Sequence, residues 1–403
     1  MSAALAGTSC EEAQAPLIQK PPSGSVPARS RSPTMPRAAV AVALAAPLGL
    51  ALLGFFTLPT ASGPAETLQA HGRLLLHLLG VAPKLRHTDY GRRQPAAPRQ
   101  ANGSIPEIQG FVEPEEFKAK YMWKEPVVFR GGATAEFGFD LACLVNAEKS
   151  VEKAFADQLS GKKIRIFKDQ YDDSSAELMT MDQYGLLVEQ ARVNASKPAP
   201  YARAFPQNSM HDCRPVPTEK MNEYHSWFGS MAQTYMPEPD FSVLFTSYTE
   251  GTNTKMHIDI GNSFVTQVAG RKKWLFVDPE YTTNMQVYGD RLNLVFIAGF
   301  DVFREPVPPE VHLKEVIAYP GDIIYFPTMT FHAVYNLDPV TISVDNTAPD
   351  LPGAVRRHWL LTAATVLNPW IIIKGISIFV NTGSFSGTDL YFDGYVSKGE
   401  GEL

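Results

Sequence analysis

Two residues in the C-terminal half of the chain, His257 and Asp259, have types and a spacing suited to binding a metal ion. Side chains at positions i and i+2 of an extended strand point to the same face, so one ion could contact both. Iron(II) without haem favours two imidazoles and one carboxylate on one face, which leaves adjacent positions for a bidentate co-substrate and O₂. The third ligand must then come from elsewhere in the chain. Because a His-x-Asp pair also occurs on many protein surfaces, the interpretation depends on the surrounding elements.

The segments around this pair predict a mainly β domain. Short apolar runs separated by turns that contain Gly or Pro cover residues 241–248, 264–268, 273–277, 312–317, 323–326 and 340–346. Many short strands with such punctuation are typical of an antiparallel sandwich or barrel. Upstream of them, the pattern predicts a helix from residue 113, strands at 126–130 and 162–168, and a helix at 181–193. The fold class expected is therefore β with flanking helices (α+β).

Several separated motifs resemble the Jumonji C and cupin-like family of Fe(II)- and 2-oxoglutarate-dependent oxygenases. They are His257-Ile-Asp259, Asn262-Ser-Phe264, Gln267-Val-Ala-Gly-Arg-Lys-Lys-Trp274, Asp278-Pro279, Tyr319-Pro-Gly-Asp-Ile-Ile-Tyr-Phe-Pro327, Phe331-His332 and Thr341-Ile-Ser-Val-Asp-Asn346. The resemblance covers residues 105–350 and implies a double-stranded β-helix, the jelly-roll or cupin barrel.

The resemblance also implies the site residues. His257, Asp259 and His332 match the metal ligands, and no catalytic residue beyond them is expected. Lys272 lies fifteen residues after the first histidine and matches the lysine that neutralises the far carboxylate of 2-oxoglutarate. A buried dicarboxylate needs such a cation, together with hydroxyl donors. Strand alternation alone does not separate Lys272 from its basic neighbours.

Two further residues complete the implied co-substrate site. Thr254 matches a hydroxyl contact of 2-oxoglutarate, and Asn346 resembles an amide near the same molecule. The cofactors implied are Fe(II), 2-oxoglutarate and O₂, with ascorbate as a reductant. The expected reaction is hydroxylation of a protein side chain, with a small molecule or a glycan as alternative substrates. Two rival functions stay open: a catalytically silent cupin-fold binding or scaffold protein, and a metal-dependent dioxygenase that does not use 2-oxoglutarate.

Charge and hydropathy indicate where the domain works. The formal net charge is -6 and no long basic run occurs in the globular region, which disfavours a nucleic-acid partner. Residues 38–58 form an uncharged run of 21 residues, close to the ~20 that cross a bilayer as a helix. Basic residues before this run predict a cytosolic N-terminus, and hence a single-pass type II protein with its domain in the lumen of the endoplasmic reticulum or Golgi. A cleaved signal beginning at Met35 is the alternative, and it gives a luminal or secreted protein.

The organisation expected has five parts. Residues 1–37 form a disordered cytosolic tail, 38–58 the membrane segment, 59–104 a luminal stalk, 105–350 the oxygenase domain and 351–403 an apolar helical extension. Residues 355–380 of the extension are interpreted as a helix of the core or of a homodimer interface.

Four residues of the chain suit a luminal environment. Asn102 and Asn194 begin glycosylation sequons beyond the membrane segment. Cys10 falls on the cytosolic side, which leaves Cys143 and Cys213 as an even luminal pair. Either a disulfide between them or two free buried thiols is compatible with the sequence.

Overall fold

The computed structural model describes residues 101–366, except for 145–149, 169–175, 195–199, 207–209, 218–225, 227–241, 248–250 and 290–295, and it also describes Gly72. The predicted cytosolic tail, the membrane segment 38–58, nearly all of the stalk and the extension beyond residue 366 lie outside the described residues. Within the described residues, no helix is both long enough and apolar enough to span a membrane.

Sixteen strands and four α-helices make up the described part. The strands are β1 (Gly103–Ser104), β2 (Glu107–Gln109), β3 (Val127–Arg130), β4 (Ile164–Phe167), β5 (Ala176–Met179), β6 (Tyr201–Pro206), β7 (Ser242–Ser247), β8 (His257–Ile258), β9 (Gly261–Ala269), β10 (Lys272–Val277), β11 (Tyr288–Gly289), β12 (Phe296–Ile297), β13 (Lys314–Ala318), β14 (Ile323–Phe326), β15 (Phe331–Asn336) and β16 (Thr341–Pro349). The helices are α1 (Pro114–Lys120), α2 (Val151–Gln158), α3 (Met181–Val193) and α4 (Leu351–Val366). Single 3₁₀ turns occupy Ala135–Phe137, Leu141–Cys143 and Pro279–Tyr281.

The strands form two sheets that pack face to face. One has the order β1-β13-β10-β15-β8-β12-β11, and the other has the order β2-β3-β14-β9-β16-β7-β6-β4-β5. The cluster between them, here called the inner cluster, draws Trp274 and Val334 from the first sheet and Val265 and Phe326 from the second. Most pairs are antiparallel, and neighbours such as β9 and β16 are far apart in sequence. The predicted jelly-roll fold of the cupin type is confirmed.

A second cluster, here called the outer cluster, covers the other face of the second sheet. There Phe117 of α1, Phe155 of α2 and Tyr184 of α3 pack against Phe264 and Val344. Successive residues of a strand point to opposite faces, so β9 and β16 each direct alternate side chains toward the barrel interior and toward the outer cluster. The odd or even position of a residue along its strand, here called strand parity, therefore decides whether a polar side chain faces the barrel interior.

Helix α4 closes one side of the barrel. Arg357 donates to the carbonyl oxygens of Trp123 and Lys124 at 2.8 and 2.6 Å, and the Trp123 indole donates to Asp350. The backbone leaves helical geometry at His358, whose Nδ1 accepts the Leu361 N–H at 3.2 Å. The predicted interface helix at 355–380 thus begins as part of α4, and its remainder lies outside the described residues.

Cys143 and Cys213 form a disulfide in the structure, with their Cα atoms 5.4 Å apart and a sequence separation of 70. Cys213 is buried in the outer cluster. The side chains of Asn102 and Asn194, by contrast, are exposed. Glycosylation of these two asparagines stays a prediction.

Loss of the disulfide should destabilise the domain. Closing a loop of this length lowers the free energy of folding by about 4 kcal/mol in the chain-entropy model, with observed losses of roughly 2–5 kcal/mol. Cys143→Ser with Cys213→Ser is therefore expected to reduce the free energy of unfolding by about 2–4 kcal/mol in urea titrations. Dithiothreitol should lower the wild-type value and leave that of the double variant unchanged. Equal values for oxidised wild-type and double variant would contradict a stabilising disulfide.

Candidate metal centre

Two neighbouring strands bring the two histidines of the predicted triad together. His257 of β8 lies directly opposite His332 of β15, and their ring centroids are 4.1 Å apart. Asp259 follows β8 in the turn to β9, and its Oδ2 lies 3.9 Å from Nε2 of His257 and 3.8 Å from Nε2 of His332. One ligand atom from each residue lies within 4.8 Å of the other two. Among the described residues, this group alone combines three such ligands at that spacing.

Backbone carbonyls fix the orientation of both imidazoles. Nδ1 of His257 lies 2.7 Å from the Lys255 carbonyl oxygen, and Nδ1 of His332 lies 3.1 Å from that of Thr330. Each carbonyl can only accept, so each Nδ1 carries a proton, and a neutral ring then has its lone pair on the Nε2 atom that faces Asp259. Metal-binding histidines are held in this way.

The electrostatics of the three residues suit a cation. Burial lowers the pKa of His332 well below its usual value, and His257 lowers it further, so the ring is in its neutral, metal-binding form. Burial also raises the pKa of Asp259, while His257 lowers it. The Oδ1 atom of Asp259 is buried and has no hydrogen-bond partner among the described residues. A buried carboxylate without such a partner is costly, and a metal ion would offset that cost. Two imidazoles and one carboxylate fit Fe(II).

A short connection between β14 and β15 holds two of the three ligands. The Met329 N–H donates to the Asp259 carbonyl oxygen at 2.9 Å, and the next residue, Thr330, supplies the carbonyl that orients His332. Met329 is fully buried and adopts φ 60°, a left-handed conformation that residues other than glycine rarely take. Backbone strain of this kind clusters at functional sites.

Of the three adjacent basic residues, only Lys272 enters the barrel interior. It is 1% exposed, and its Nζ donates to the Ser343 Oγ at 2.6 Å. Lys273 points to the other face of β10 and pairs with Glu315 at 2.7 Å, and Arg271 pairs with Asp338 at the surface. Burial lowers the pKa of Lys272 to about 7, although nearby Asp345 raises it.

The metal group and Lys272 lie at two ends of one wall of the interior. β10 and β15 pair so that Phe276 lies opposite His332 and Lys272 lies opposite Asn336. These two positions are four residues apart along the strand, or about 13 Å. The lysine side chain covers part of that distance, and a five-carbon dicarboxylate bound at the metal is long enough to cover the rest.

Thr254 lies beside this wall. Its N–H donates to the Val334 carbonyl oxygen and its Oγ1 accepts the Val334 N–H, both at 2.9 Å. The hydroxyl proton of Thr254 can therefore be donated to a ligand. Its position next to an inner-cluster residue is compatible with the predicted co-substrate contact.

Asn346 is placed differently from the prediction. It lies on the outer-cluster face of β16 with Val344, and its amide donates to the Phe264 carbonyl oxygen at 3.4 Å. The physical reason is strand parity, because Asn346 is an odd number of residues away from Ser343, which contacts Lys272. The structure therefore does not bring Asn346 to the pocket.

Asp345 occupies the inward position instead, and it was not among the predicted site residues. The Thr347 hydroxyl lies 3.3 Å from its Oδ1, and the Ser263 hydroxyl also hydrogen-bonds to it. Burial raises the pKa of Asp345 to about 7, with repulsion from Asp259 as the next cause. The available signal was the alternation of polar residues at Ser343, Asp345 and Thr347, which marks one face of a strand.

The comparisons with known proteins agree with this architecture. Residues 114–346 match the family described as a cupin-like domain, over more than half of the chain. The chain belongs to the cupin-like domain family. The resemblance to Jumonji C proteins is confirmed by this family match and by a relative that carries that name.

The curated relatives match the cupin-like chain over short segments. JmjC domain-containing protein 1 of Schizosaccharomyces pombe is 32% identical over 99 residues, which are 24% of this chain and 21% of the relative. The tRNA wybutosine-synthesizing protein 5 of Danio rerio is 28% identical over 100 residues, 25% of this chain and 31% of the relative. HSPB1-associated protein 1 of Homo sapiens is 30% identical over 105 residues, 24% of this chain and 21% of the relative. The chain thus spans only a fifth to a third of the length of these relatives. Together they support a domain of the 2-oxoglutarate-oxygenase type.

Proposed function

We propose that the cupin-like domain is an Fe(II)- and 2-oxoglutarate-dependent dioxygenase that hydroxylates side chains of proteins. The observation that carries the proposal is the joint placement of the triad and Lys272 in one barrel interior. An anionic co-substrate that chelates the metal at one end needs a buried cation at the other, and Lys272 supplies it.

Each residue has a defined task in this proposal. His257, Asp259 and His332 would hold the iron, and Lys272, Ser343 and Thr254 would hold the far carboxylate of 2-oxoglutarate. The bound iron and 2-oxoglutarate supply the oxidation of a C–H bond by O₂, with succinate and CO₂ as the other products. The inner cluster, with Trp274 and Phe326 beside His332, would exclude water from the reacting atoms.

A protein substrate is favoured by the charge of the chain. The net charge of -6 opposes binding to a polyanion, although one relative is named for tRNA wybutosine synthesis. The test is a substrate trap in which Zn(II) replaces iron and 2-oxoglutarate is added. We expect trapped proteins to gain the mass of one oxygen atom when they are treated with the Fe(II) form. If only RNA, glycan or small molecules are trapped and oxidised, protein hydroxylation is excluded.

One observation favours the rival that uses a metal without 2-oxoglutarate. Asp345 places a carboxyl group close enough to interact with both Asp259 and Lys272, and its negative charge would offset part of the attraction for a dianion. Under this rival, turnover would not depend on 2-oxoglutarate. Lys272→Met would then leave turnover unchanged.

The affinity for 2-oxoglutarate should fall as the pH rises through about 7. Lys272 and Asp345 both have a pKa of about 7, so raising the pH removes a positive charge and adds a negative one beside the dianion. A metal cation bound by the triad would weaken the repulsion between Asp259 and Asp345. The titration of Lys272 should therefore account for most of the pH dependence. We expect the dissociation constant, measured calorimetrically on the Zn(II) form, to rise by about tenfold or more between pH 6 and 8. Lys272→Arg should flatten this dependence. A wild-type affinity that stays constant or increases with pH would contradict the assignment.

We also propose that the domain lies in the secretory lumen, anchored by residues 38–58. The basic residues before that run and the sequons at Asn102 and Asn194 support this proposal. In sealed microsomes, a C-terminal tag should resist protease until detergent is added. Endoglycosidase should also reduce the mass of the wild-type chain but not that of the variant with Asn102→Gln and Asn194→Gln. A tag that is digested without detergent would contradict luminal placement.

A further inference from the structure

Trp274 is a polar side chain of the barrel interior to which the proposed function assigns no contact. It lies on β10 midway between Lys272 and Phe276, so all three side chains point inward. Its neighbours across the sheet are Val316 of β13 and Val334 of β15, and it is 5% exposed. Trp274 therefore lines the stretch of wall between the metal group and the lysine.

The indole N–H of Trp274 has no hydrogen-bond partner among the described residues, although it is fully buried. Its ring stacks on Phe276 at 6.0 Å and lies 5.7 Å from Phe326 and 6.3 Å from the His332 ring. A buried indole N–H usually finds an acceptor, and leaving a buried donor unpaired destabilises the fold. Phenylalanine would fill an apolar position of this kind without that cost.

The unpaired donor lies where an acidic ligand would pass. Along β10, Trp274 is two residues from Phe276, which lies opposite His332, and two residues from Lys272. The Lys272 side chain extends toward the metal group. The far carboxylate of a dicarboxylate bound at the metal would therefore meet Lys272 within the part of the wall that Trp274 lines. Asp345 faces the interior from the opposite sheet, but its hydrogen bonds run to Ser263 and Thr347.

Resting on the proposed function, we infer that Trp274 is a binding residue for 2-oxoglutarate and donates its indole N–H to a carboxylate oxygen of the co-substrate. Lys272 then neutralises the carboxylate charge of 2-oxoglutarate, while Trp274 orients the co-substrate. A hydrogen bond to a charged group contributes about 1.5–3 kcal/mol, which corresponds to an affinity change of roughly 10- to 150-fold.

The test compares Trp274→Phe with wild type in the full-length Zn(II)-loaded chain, with 2-oxoglutarate titrated calorimetrically. We expect binding to weaken by about tenfold or more while Zn(II) affinity is unchanged. Without 2-oxoglutarate, the melting temperature should be equal or higher, because the variant has no unpaired donor. Trp123→Phe is the matched control, since that indole already donates to Asp350. It should lower the melting temperature and leave 2-oxoglutarate affinity unchanged.

A second measurement needs no variant that could misfold. The chain has five tryptophans, so its indole N–H signals can be resolved by ¹H–¹⁵N NMR. We expect the Trp274 signal to move downfield when 2-oxoglutarate is added. An unmoved signal together with equal affinity for Trp274→Phe and wild type would overturn the inference. Wild-type protein that binds Zn(II) but no 2-oxoglutarate would contradict the proposed function itself, so the two failures are distinguishable.

Discussion

Replacing His257 by alanine is expected to abolish metal-dependent activity and to weaken metal binding by more than about a hundredfold. Even loss of a group that only orients a metal ligand costs roughly 10–100-fold, and this change removes a ligand atom outright. It also leaves Asp259 and His332 as a two-ligand site, with the buried Oδ1 of Asp259 still unpartnered. The measurement is competition for Zn(II) or Fe(II) against a chelator of known affinity.

His312→Ala is the matched control for that change. His312 is exposed, lies 5.8 Å from the Tyr281 ring and is outside the metal group. This variant should bind metal as wild type does. If His257→Ala retained wild-type metal affinity, the three residues would not form the metal site.

Replacing Lys272 by methionine should have the second large effect, on 2-oxoglutarate alone. Methionine keeps much of the length and the apolar stem but removes the cation, and losing one partner of a buried charge pair costs about 2–5 kcal/mol. We therefore expect 2-oxoglutarate to bind at least about thirtyfold more weakly, with metal affinity unchanged. Titration of the Zn(II) form measures both.

The adjacent lysine provides the control for this change. Lys273 is the same residue type on the same strand, but it points to the opposite face and pairs with Glu315. Lys273→Met should therefore leave 2-oxoglutarate affinity unchanged. If Lys273→Met weakened binding and Lys272→Met did not, the inward face of β10 would be assigned wrongly.

The sequence predicted the fold class and most strands of the barrel because their apolar patterns are local. It missed β15, the strand that carries His332. The outward residues Phe331, Ala333 and Tyr335 alternate there with the inward residues His332, Val334 and Asn336, so a period of two is present and a strand could have been predicted.

The site was predicted only in part, because its residues come from separate segments of the chain. The His-x-Asp spacing is local, whereas the pairing of His257 with His332 joins positions far apart in the chain and needed the family resemblance or the sheet register. Asn346 and Asp345 are neighbours, and the choice between them depends on strand parity, which a one-residue error inverts. The unpaired N–H of Trp274 depends on what surrounds the ring in three dimensions, so no sequence pattern indicates it.

The most direct test of the oxygenase proposal is the conversion of 2-oxoglutarate to succinate by the purified chain with Fe(II), ascorbate and O₂. We expect succinate formation that depends on both Fe(II) and 2-oxoglutarate, that increases with trapped substrate, and that is lost in His257→Ala. Succinate no higher than in His257→Ala, with metal bound and a broad panel of substrates present, would contradict the proposal and favour a cupin-fold binding protein.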